Sequence, residues 1–228
     1  MKTLNFKLNK TTYLKFSSFI PIRSLGGLYW ARIELINGSK KIPIYESVIG
    51  DGLQTISKGF KNVLFNECYM SIPNNEDLGY AYNKYLNLPK PIYFKTEWIA
   101  KNAWVWIFGG TKYQTITHLY NDIDGNIILH VSKNCYWRGI EKGDKNYVSY
   151  KEFMKKYKPL YVGVISRVVA KKLLEKFENL RDRVWENQRR YDADCVAAIK
   201  EGKKCKWCVR DEKYRKELRA SCTSKTEV

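Results

Sequence analysis

A single apolar stripe between Ser166 and Glu201 is the strongest constraint that this sequence places on its fold. Apolar side chains recur there at steps of three, four and once seven: Val169, Leu173, Phe177, Leu180, Val184, Tyr191, Cys195 and Ile199. This spacing predicts one amphipathic helix, and Gly202 is a fitting residue to end it. At 1.5 Å per residue the helix would be about 54 Å long. Asp192 and Asp194 are poor mid-helix residues, so the pattern is also compatible with a break near them.

The N-terminal part of the chain carries the pattern of a β-hairpin. Residues 28–36 alternate between apolar and polar side chains and lead into Asn37-Gly38, a dipeptide typical of two-residue hairpin turns. Residues 40–48 would form the returning strand. Pro43 cannot donate a hydrogen bond to a sheet, which predicts an edge position or a bulge for that strand. The Gly-Asp-Gly sequence at 50–52 is interpreted as a turn.

A second set of strand patterns follows after residue 98. Residues 102–108, 112–120 and 126–132 read as three successive strands, with Gly109-Gly110 and Asp124-Gly125 at the two turns. A short helix is expected around residues 80–86, in the connection between the two sets.

These patterns together predict an α+β protein. Its antiparallel β-sheet, made of hairpins and a three-strand meander, would be followed by a C-terminal α-helical hairpin whose second helix covers about residues 209–220. We therefore divide the chain into an aromatic-rich antiparallel β domain, residues 1–159, and a basic helical hairpin, residues 160–228, packed on the sheet or projecting from it.

Charge is the composition feature that bears most on function. The chain has 41 Lys and Arg residues against 23 Asp and Glu residues, a net charge of +18, and residues 151–228 hold 22 of the basic and 12 of the acidic residues. Such an excess favours a polyanionic partner, with nucleic acid or a nucleoprotein first and an acidic protein second. No run is long enough for a membrane span, and the N-terminus lacks a secretory pattern, so we expect a cytoplasmic protein.

The basic residues just after the long helix form the candidate nucleic-acid-binding site. They are Lys200, Lys203, Lys204, Lys206 and Arg210, and Trp207 lies among them. The Lys and Arg side chains could contact a phosphate backbone, and an exposed Trp207 ring could stack on an unpaired base. The alternative is a solvated turn with the ring of Trp207 packed inside the helical hairpin. Acidic residues interleaved with the basic ones along the long helix argue against a helix dedicated to tracking DNA.

Four cysteines near the C-terminus are candidate metal ligands: Cys195, Cys205, Cys208 and Cys222. The Cys205-x2-Cys208 spacing is the two-ligand half of a zinc site, because a tight turn directs both thiolates at one tetrahedral ion. The two other cysteines are single residues rather than a second pair, which weakens the interpretation. Reduced structural thiols are therefore favoured over zinc, and a redox pair is the third alternative.

The chain has two histidines, His118 and His130, on the strands that flank Asp124-Gly125. A two-residue turn at 124–125 would place the rings on opposite faces of the sheet, and this simpler register is the one we expect. A three-residue turn with a bulge would instead place them on one face. We interpret both as ordinary sheet residues rather than catalysts or ligands.

No catalytic or nucleotide-binding motif is present, so we assign no catalytic residue. The first hypothesis is a non-catalytic binding protein for nucleic acid or a nucleoprotein, and abundant Lys, Asn, Ile and Tyr suggest a phage or mobile-element setting. The second is a protein–protein module, such as an inhibitor, an immunity-type partner or a virion component, anchored by exposed rings of Trp98, Trp104, Trp137 and Trp185. The third is an enzyme acting on nucleic acid.

Overall fold

The computed structural model describes residues 3–22, 28–65, 77–86, 103–109, 114–135, 147–203, 205 and 209 of the chain. Within these residues the strands are β1 (Leu4–Lys7), β2 (Thr12–Ile22), β3 (Leu28–Asn37), β4 (Lys40–Val48), β5 (Trp104–Phe108), β6 (Gln114–Asn121), β7 (Ile127–Asn134) and β8 (Tyr161–Ile165). The helices are α1 (Ile49–Leu64), α2 (Leu78–Leu86), α3 (Tyr150–Lys155) and α4 (Arg167–Lys200).

The strands form two four-stranded antiparallel sheets. The first has the order β1-β2-β3-β4 and the second the order β5-β6-β7-β8, so within each sheet every strand pairs with its neighbours in sequence. The predicted α+β class with antiparallel sheets is thereby confirmed. The second sheet includes the predicted meander, β5 to β7, and continues with β8 beyond the boundary that we drew at residue 159.

The predicted hairpin of β3 and β4 is present with its turn displaced by one residue. Asn37 pairs with Lys40, so the two turn residues are Gly38 and Ser39, and Gly38 takes the left-handed conformation with φ of 57°. The register shifts where Pro43 pairs with Glu34, and β4 is also an edge strand. The proline therefore has both of the features that its missing N–H predicts.

The long helix α4 agrees with its predicted limits. The Ser166 side chain accepts a hydrogen bond from the backbone N–H of Val169 at 3.3 Å, and Gly202, with φ of 64°, follows the C-terminal end. The helix runs without a break through Asp192 and Asp194. Among the described helices, none is long and apolar enough to cross a membrane. The second predicted helix, at 209–220, falls outside the described residues except for Val209.

Helix α1 corrects the interpretation of residues 50–52 as a turn, because all three lie within its first turns. It packs against α4, against β3 and β4 of the first sheet, and against β5 and β6 of the second. Gly59 lets the helix approach the second sheet closely. A Cβ atom there would lie 3.2 Å from Val105 and 3.5 Å from Leu119. A small residue at this point therefore sets the spacing between the helix and the sheet.

The core is centred on Phe177 of α4, a fully buried residue. Its ring centroid lies 4.8 Å from that of Phe6 on β1, 5.9 Å from that of Phe16 on β2 and 5.8 Å from that of Phe60 on α1. These separations are in the range of favourable aromatic pairs. One side chain of α4 thus joins the helix to the first sheet and to α1.

We expect Phe177→Ala to reduce the free energy of unfolding by about 3–5 kcal/mol, because it leaves a cavity among three other buried rings. The control is Val168→Ala, at an exposed position on the same helix, which should change stability by less than about 0.5 kcal/mol. Urea titration of both variants at one pH checks the prediction, and comparable losses in the two would contradict it.

Candidate functional site

The predicted basic cluster lies at the C-terminal end of α4. Lys200 is the last residue of the helix, and Lys203 follows it with an exposed ammonium group 3.3 Å from Glu201. The chain reverses here, since the N–H of Lys203 donates to the carbonyl of Ala198 at 2.8 Å. The other residues of the cluster lie outside the described residues: Lys204, Lys206, Trp207 and Arg210.

Two of the four candidate metal ligands lie next to each other. The sulfur atoms of Cys195, on α4, and Cys205, after the chain reversal, are 2.8 Å apart. Cys205 is buried and Cys195 is half-buried. Cys208 and Cys222 lie outside the described residues. Within the described part of the chain, no group of three His, Cys, Asp or Glu side chains has the arrangement of a metal site.

A groove between β1 and α4 brings together basic residues that the sequence does not mark as a group. Its first hollow, of about 260 Å³, is lined by Leu4, Asn5, Phe6, Lys176, Asn179 and Arg183. Its second, of about 290 Å³, is lined by Lys7, Leu8, Asn9, Val169, Lys172, Leu173 and Lys176. Lys176 lies in both hollows, so they are adjacent. Among the residues that the structure describes, four cations and no carboxylate line this groove.

Three acidic residues of α4, Glu178, Asp182 and Glu186, form ion pairs with cations outside the groove. Glu178 is 2.7 Å from Lys61 of α1 and 3.9 Å from Arg181, and Asp182 is 2.9 Å from Arg181. Glu186 pairs with Arg190. By contrast, Lys7, Lys172, Lys176 and Arg183 form no ion pair with the described residues.

The fold therefore places these three acidic residues of α4 outside the groove, although they alternate with basic residues in the sequence. Glu178 is drawn towards α1, and the side of the helix that faces β1 keeps its positive charge. The four cations of the groove are exposed to solvent, so their charge can attract an anionic ligand.

Of the four tryptophans proposed as protein anchors, Trp185 is the one whose side chain is described. Trp185 is about one-third exposed, and its ring packs over Gly50 at the start of α1. Trp98, Trp137 and the side chain of Trp104 lie outside the described part of the structure. Trp106, which we did not single out, is fully buried and donates from its indole N–H to the carbonyl of Gly52 at 3.0 Å.

The two histidines lie on one face of the second sheet, which contradicts the predicted opposite faces. His118 of β6 pairs directly with His130 of β7, and their ring centroids are 6.0 Å apart. The cause is the turn. Asp122 donates its N–H to the carbonyl of Asn126, leaving a three-residue loop with Gly125 at φ of 78°. The Asp122 side chain accepts from the N–H groups of Asp124 and Asn126, so residues 122–126 encode the longer turn.

Asp77 joins the His130 strand to two other segments. One carboxylate oxygen accepts a hydrogen bond from Nε2 of His130 at 2.8 Å. The other accepts from the Tyr157 hydroxyl at 2.5 Å and from the N–H of Tyr80 at 3.0 Å. Asp77 thus caps the N-terminus of α2 and ties that helix to β7 and to the residues after α3.

Burial determines the ionisation of this cluster. Complete burial and, to a smaller extent, the charge of His130 lower the pKa of His118 to about 3, and the opposing effect of Asp77 is the smallest of the three. Burial alone would raise the pKa of Asp77, but the hydrogen bond and charge of His130 and the hydrogen bonds from Tyr157 and Tyr80 bring it down to about 2. Burial also raises the pKa of Tyr157, which donates to that carboxylate. At neutral pH the cluster therefore holds an ionised Asp77 and a neutral His118.

The hydrogen bonds of Asp77 hold α2, β7 and the residues after α3 together inside the protein, and protonation of this cluster at low pH destabilises the fold. His118 and His130 are 0% and 1% exposed, so neither ring is open to a large substrate. Both ring nitrogens of His118 lack a hydrogen-bond partner within the described residues. Leaving a buried N–H unpaired costs about 1–3 kcal/mol. None of the cluster residues lines the groove between β1 and α4.

Comparisons with known proteins give no relative for this chain: no family model, no curated protein and no solved structure matches it. The site must therefore be interpreted from its own chemistry.

We predict that stability falls as the pH is lowered from about 6.5 towards 3, by at most about 1.4 kcal/mol per pH unit from His118. The unfolded chain protonates this ring at its ordinary pKa, whereas the folded chain does not, so acid favours unfolding. Above pH 6.5 the His118 ring is neutral in both the folded and the unfolded chain, so it costs no stability. The loss of stability then grows as the pH falls, until the folded chain also protonates the ring near pH 3. Asp77 adds a further loss between its ordinary pKa of 3.8 and about 2. Urea titrations between pH 7 and pH 3.5 measure the slope.

The matched variant is His118→Phe, which keeps a ring next to Tyr82 and removes the titrating group. Its stability should depend less on pH between 6 and 4 than that of the wild type. An unchanged pH dependence would show that the His118 ring titrates normally. Because the chain has two histidines, proton NMR of their ring signals reports the same titration directly.

Proposed function

We propose that the protein is a non-catalytic nucleic-acid-binding protein that holds a phosphate backbone in the groove between β1 and α4. The observation that carries this proposal is the lining of the groove. Lys7, Lys172, Lys176 and Arg183 come from two separate elements, and the described lining contains no carboxylate. A phosphate backbone would neutralise these cations and release counterions, which is the main source of sequence-independent binding.

The other groove residues fit the same ligand. Asn5, Asn9 and Asn179 can donate amide hydrogen bonds to phosphate or sugar oxygens. Leu4, Phe6 and Leu173 contribute apolar surface to the lining. These groups suit contacts to the backbone rather than to base edges, so we infer binding with little sequence preference.

The basic cluster at the end of α4 would extend the contact. Lys176 and Lys200 lie on the same continuous helix, about 36 Å apart at 1.5 Å per residue. This is about one turn of a DNA duplex. Lys203, with Lys204, Lys206, Trp207 and Arg210 as proposed from the sequence, would add charge and a stacking ring at that end. The net charge of +18 is consistent with a polyanion or a nucleoprotein as the partner.

Two other functions have less support. A protein–protein module needs exposed aromatic anchors. Of the tryptophans whose side chains are described, Trp106 is buried, Trp30 is half-buried, and Trp185 is 37% exposed but packs over Gly50 of α1. An enzyme acting on nucleic acid needs acids beside the basic groove. The described lining of the groove contains no carboxylate, and Asp77 is engaged with His130 and Tyr157 next to the second sheet.

The test is the double variant Lys172→Gln, Lys176→Gln, measured by fluorescence anisotropy with labelled single- and double-stranded DNA and RNA. We expect its affinity to fall on the order of tenfold at about 50 mM salt. The slope of log K against log salt should become shallower by about 1.8, because each lost phosphate contact removes about 0.9.

The matched control is Lys171→Gln, Arg189→Gln. It removes the same charge from exposed positions on α4 that do not line the groove. Its affinity and salt slope should stay closer to those of the wild type. Equal losses in the two double variants would mean that net charge, rather than the groove, determines binding. No binding of the wild type to any of the four probes at about 50 mM salt would overturn the proposal itself.

A further inference from the structure

The last turns of α4 extend beyond the part of the helix that the core supports. The buried residues of α4 end at Tyr191, although the helix continues to Lys200. Val196 and Ile199 are 53% and 75% exposed, so the apolar stripe predicted from the sequence is not buried at its C-terminal end. A helix end with so little apolar burial needs another source of stability.

Two cysteine thiols meet at this end of the helix. Gly202, in the left-handed conformation with φ of 64°, turns the chain back along α4. The sulfur of Cys205 thereby comes to 2.8 Å from the sulfur of Cys195. A disulfide bond is about 2.05 Å long, so a movement of less than about 1 Å would bring the two sulfur atoms to bonding distance.

The two thiols differ in their access to solvent. Cys195 is half-buried on α4, whereas Cys205 is buried. The backbone carbonyl of Cys205 also accepts a hydrogen bond from the N–H of Val209 at 3.2 Å, so its position is fixed on both sides. A small oxidant from the solvent therefore reaches Cys195 first, and Cys205 lies next to the oxidised sulfur. An accessible cysteine beside a second, resolving cysteine is the usual arrangement of a redox-sensitive pair.

We propose that Cys195 and Cys205 are a peroxide-sensitive pair, in which Cys195 is oxidised first and Cys205 converts it to a disulfide. The Cys195 thiolate attacks one oxygen of hydrogen peroxide, the O–O bond breaks, and a sulfenic acid and water are formed. The Cys205 thiolate then attacks the Cys195 sulfur. The S–O bond breaks, the S–S bond forms, and a second water leaves. In total the two thiols give up two electrons and two protons, and the peroxide is reduced to two molecules of water.

The consequence is a covalent link that holds the reversed chain against the last turns of α4. The closed loop contains Lys200 and Lys203 of the basic cluster. A cross-link restricts the open conformations of such a loop, and so stabilises a helix end at which apolar packing is absent. A reducing thiol would restore the two free cysteines by exchange. This inference does not depend on nucleic-acid binding, and its test uses no nucleic acid.

The experiment is peptide mapping of the full chain after exposure to hydrogen peroxide, alkylation of the remaining thiols and complete trypsin digestion. The basic residues of this region separate its cysteines: Cys195 falls in peptide 191–200, Cys205 in peptide 205–206 and Cys208 in peptide 207–210. We expect mass spectrometry to find peptides 191–200 and 205–206 joined by a disulfide, and dithiothreitol to separate them. This readout needs the wild-type chain alone.

Cysteine variants test the order of the two steps. Cys205→Ser should stop the reaction at the sulfenic acid of Cys195, which dimedone traps, and Cys195→Ser should give neither the trapped acid nor the cross-link. The control is Cys135→Ser, at a buried cysteine just after β7, which should form the cross-link as the wild type does. Oxidation of the wild type should also slow amide hydrogen exchange in the last turn of α4 by several-fold.

Three results would overturn the proposal. The first is a disulfide that joins Cys195 to Cys208 or to another chain in place of Cys205. The second is sulfinic acid at Cys195 while Cys205 stays free, because the buried thiol would then not react with the oxidised sulfur. The third is unchanged hydrogen exchange at the end of α4 after complete cross-linking, because the disulfide would then not stabilise the helix.

Discussion

The burial of α1 between the two sheets is the interaction on which the rest of the structure depends. One side of this helix packs against β5 and β6, and other sides pack against β3, β4 and α4. Gly59 allows the close approach to the second sheet, while Phe60 next to it meets Phe177 of α4. Because both sheets and the long helix use α1 as a common surface, their relative positions are set by its packing, and packing of this density tolerates little change in volume.

That packing also separates the charges of α4. The helix presents Phe177 to the core, Glu178 towards Lys61 of α1, and Lys176 towards β1. A mixed-charge sequence becomes a one-signed groove because consecutive helix residues point in different directions. The proposed nucleic-acid interface is therefore a product of how α4 is rotated against the core rather than of local composition.

Several elements could be predicted from sequence because their determinants are local. The helix α4 has a capping serine, a regular apolar period and a glycine beyond its end, and all three act within a few residues. The β3–β4 hairpin and the meander follow from strand alternation and turn residues. The helix α1 was not predicted: Gly50 and Gly52 are poor helix formers and were interpreted as a turn, whereas in the fold their cost is offset by burial against Trp185 and Tyr45. The paired histidines were missed because one residue of loop length reverses the face of every side chain that follows.

The sequence alone determined the α+β class, the limits of α4, the net charge and the residues available as ligands. Tertiary structure decided which of these residues meet: Lys7 with Lys172 across a groove, His118 with His130 on one face, and Cys195 with Cys205 behind a chain reversal. The physical reason is the separation along the chain between the residues that interact. Helix periodicity, caps and turns depend on neighbours within a few residues, whereas sheet register, helix rotation and burial depend on partners that are distant along the chain.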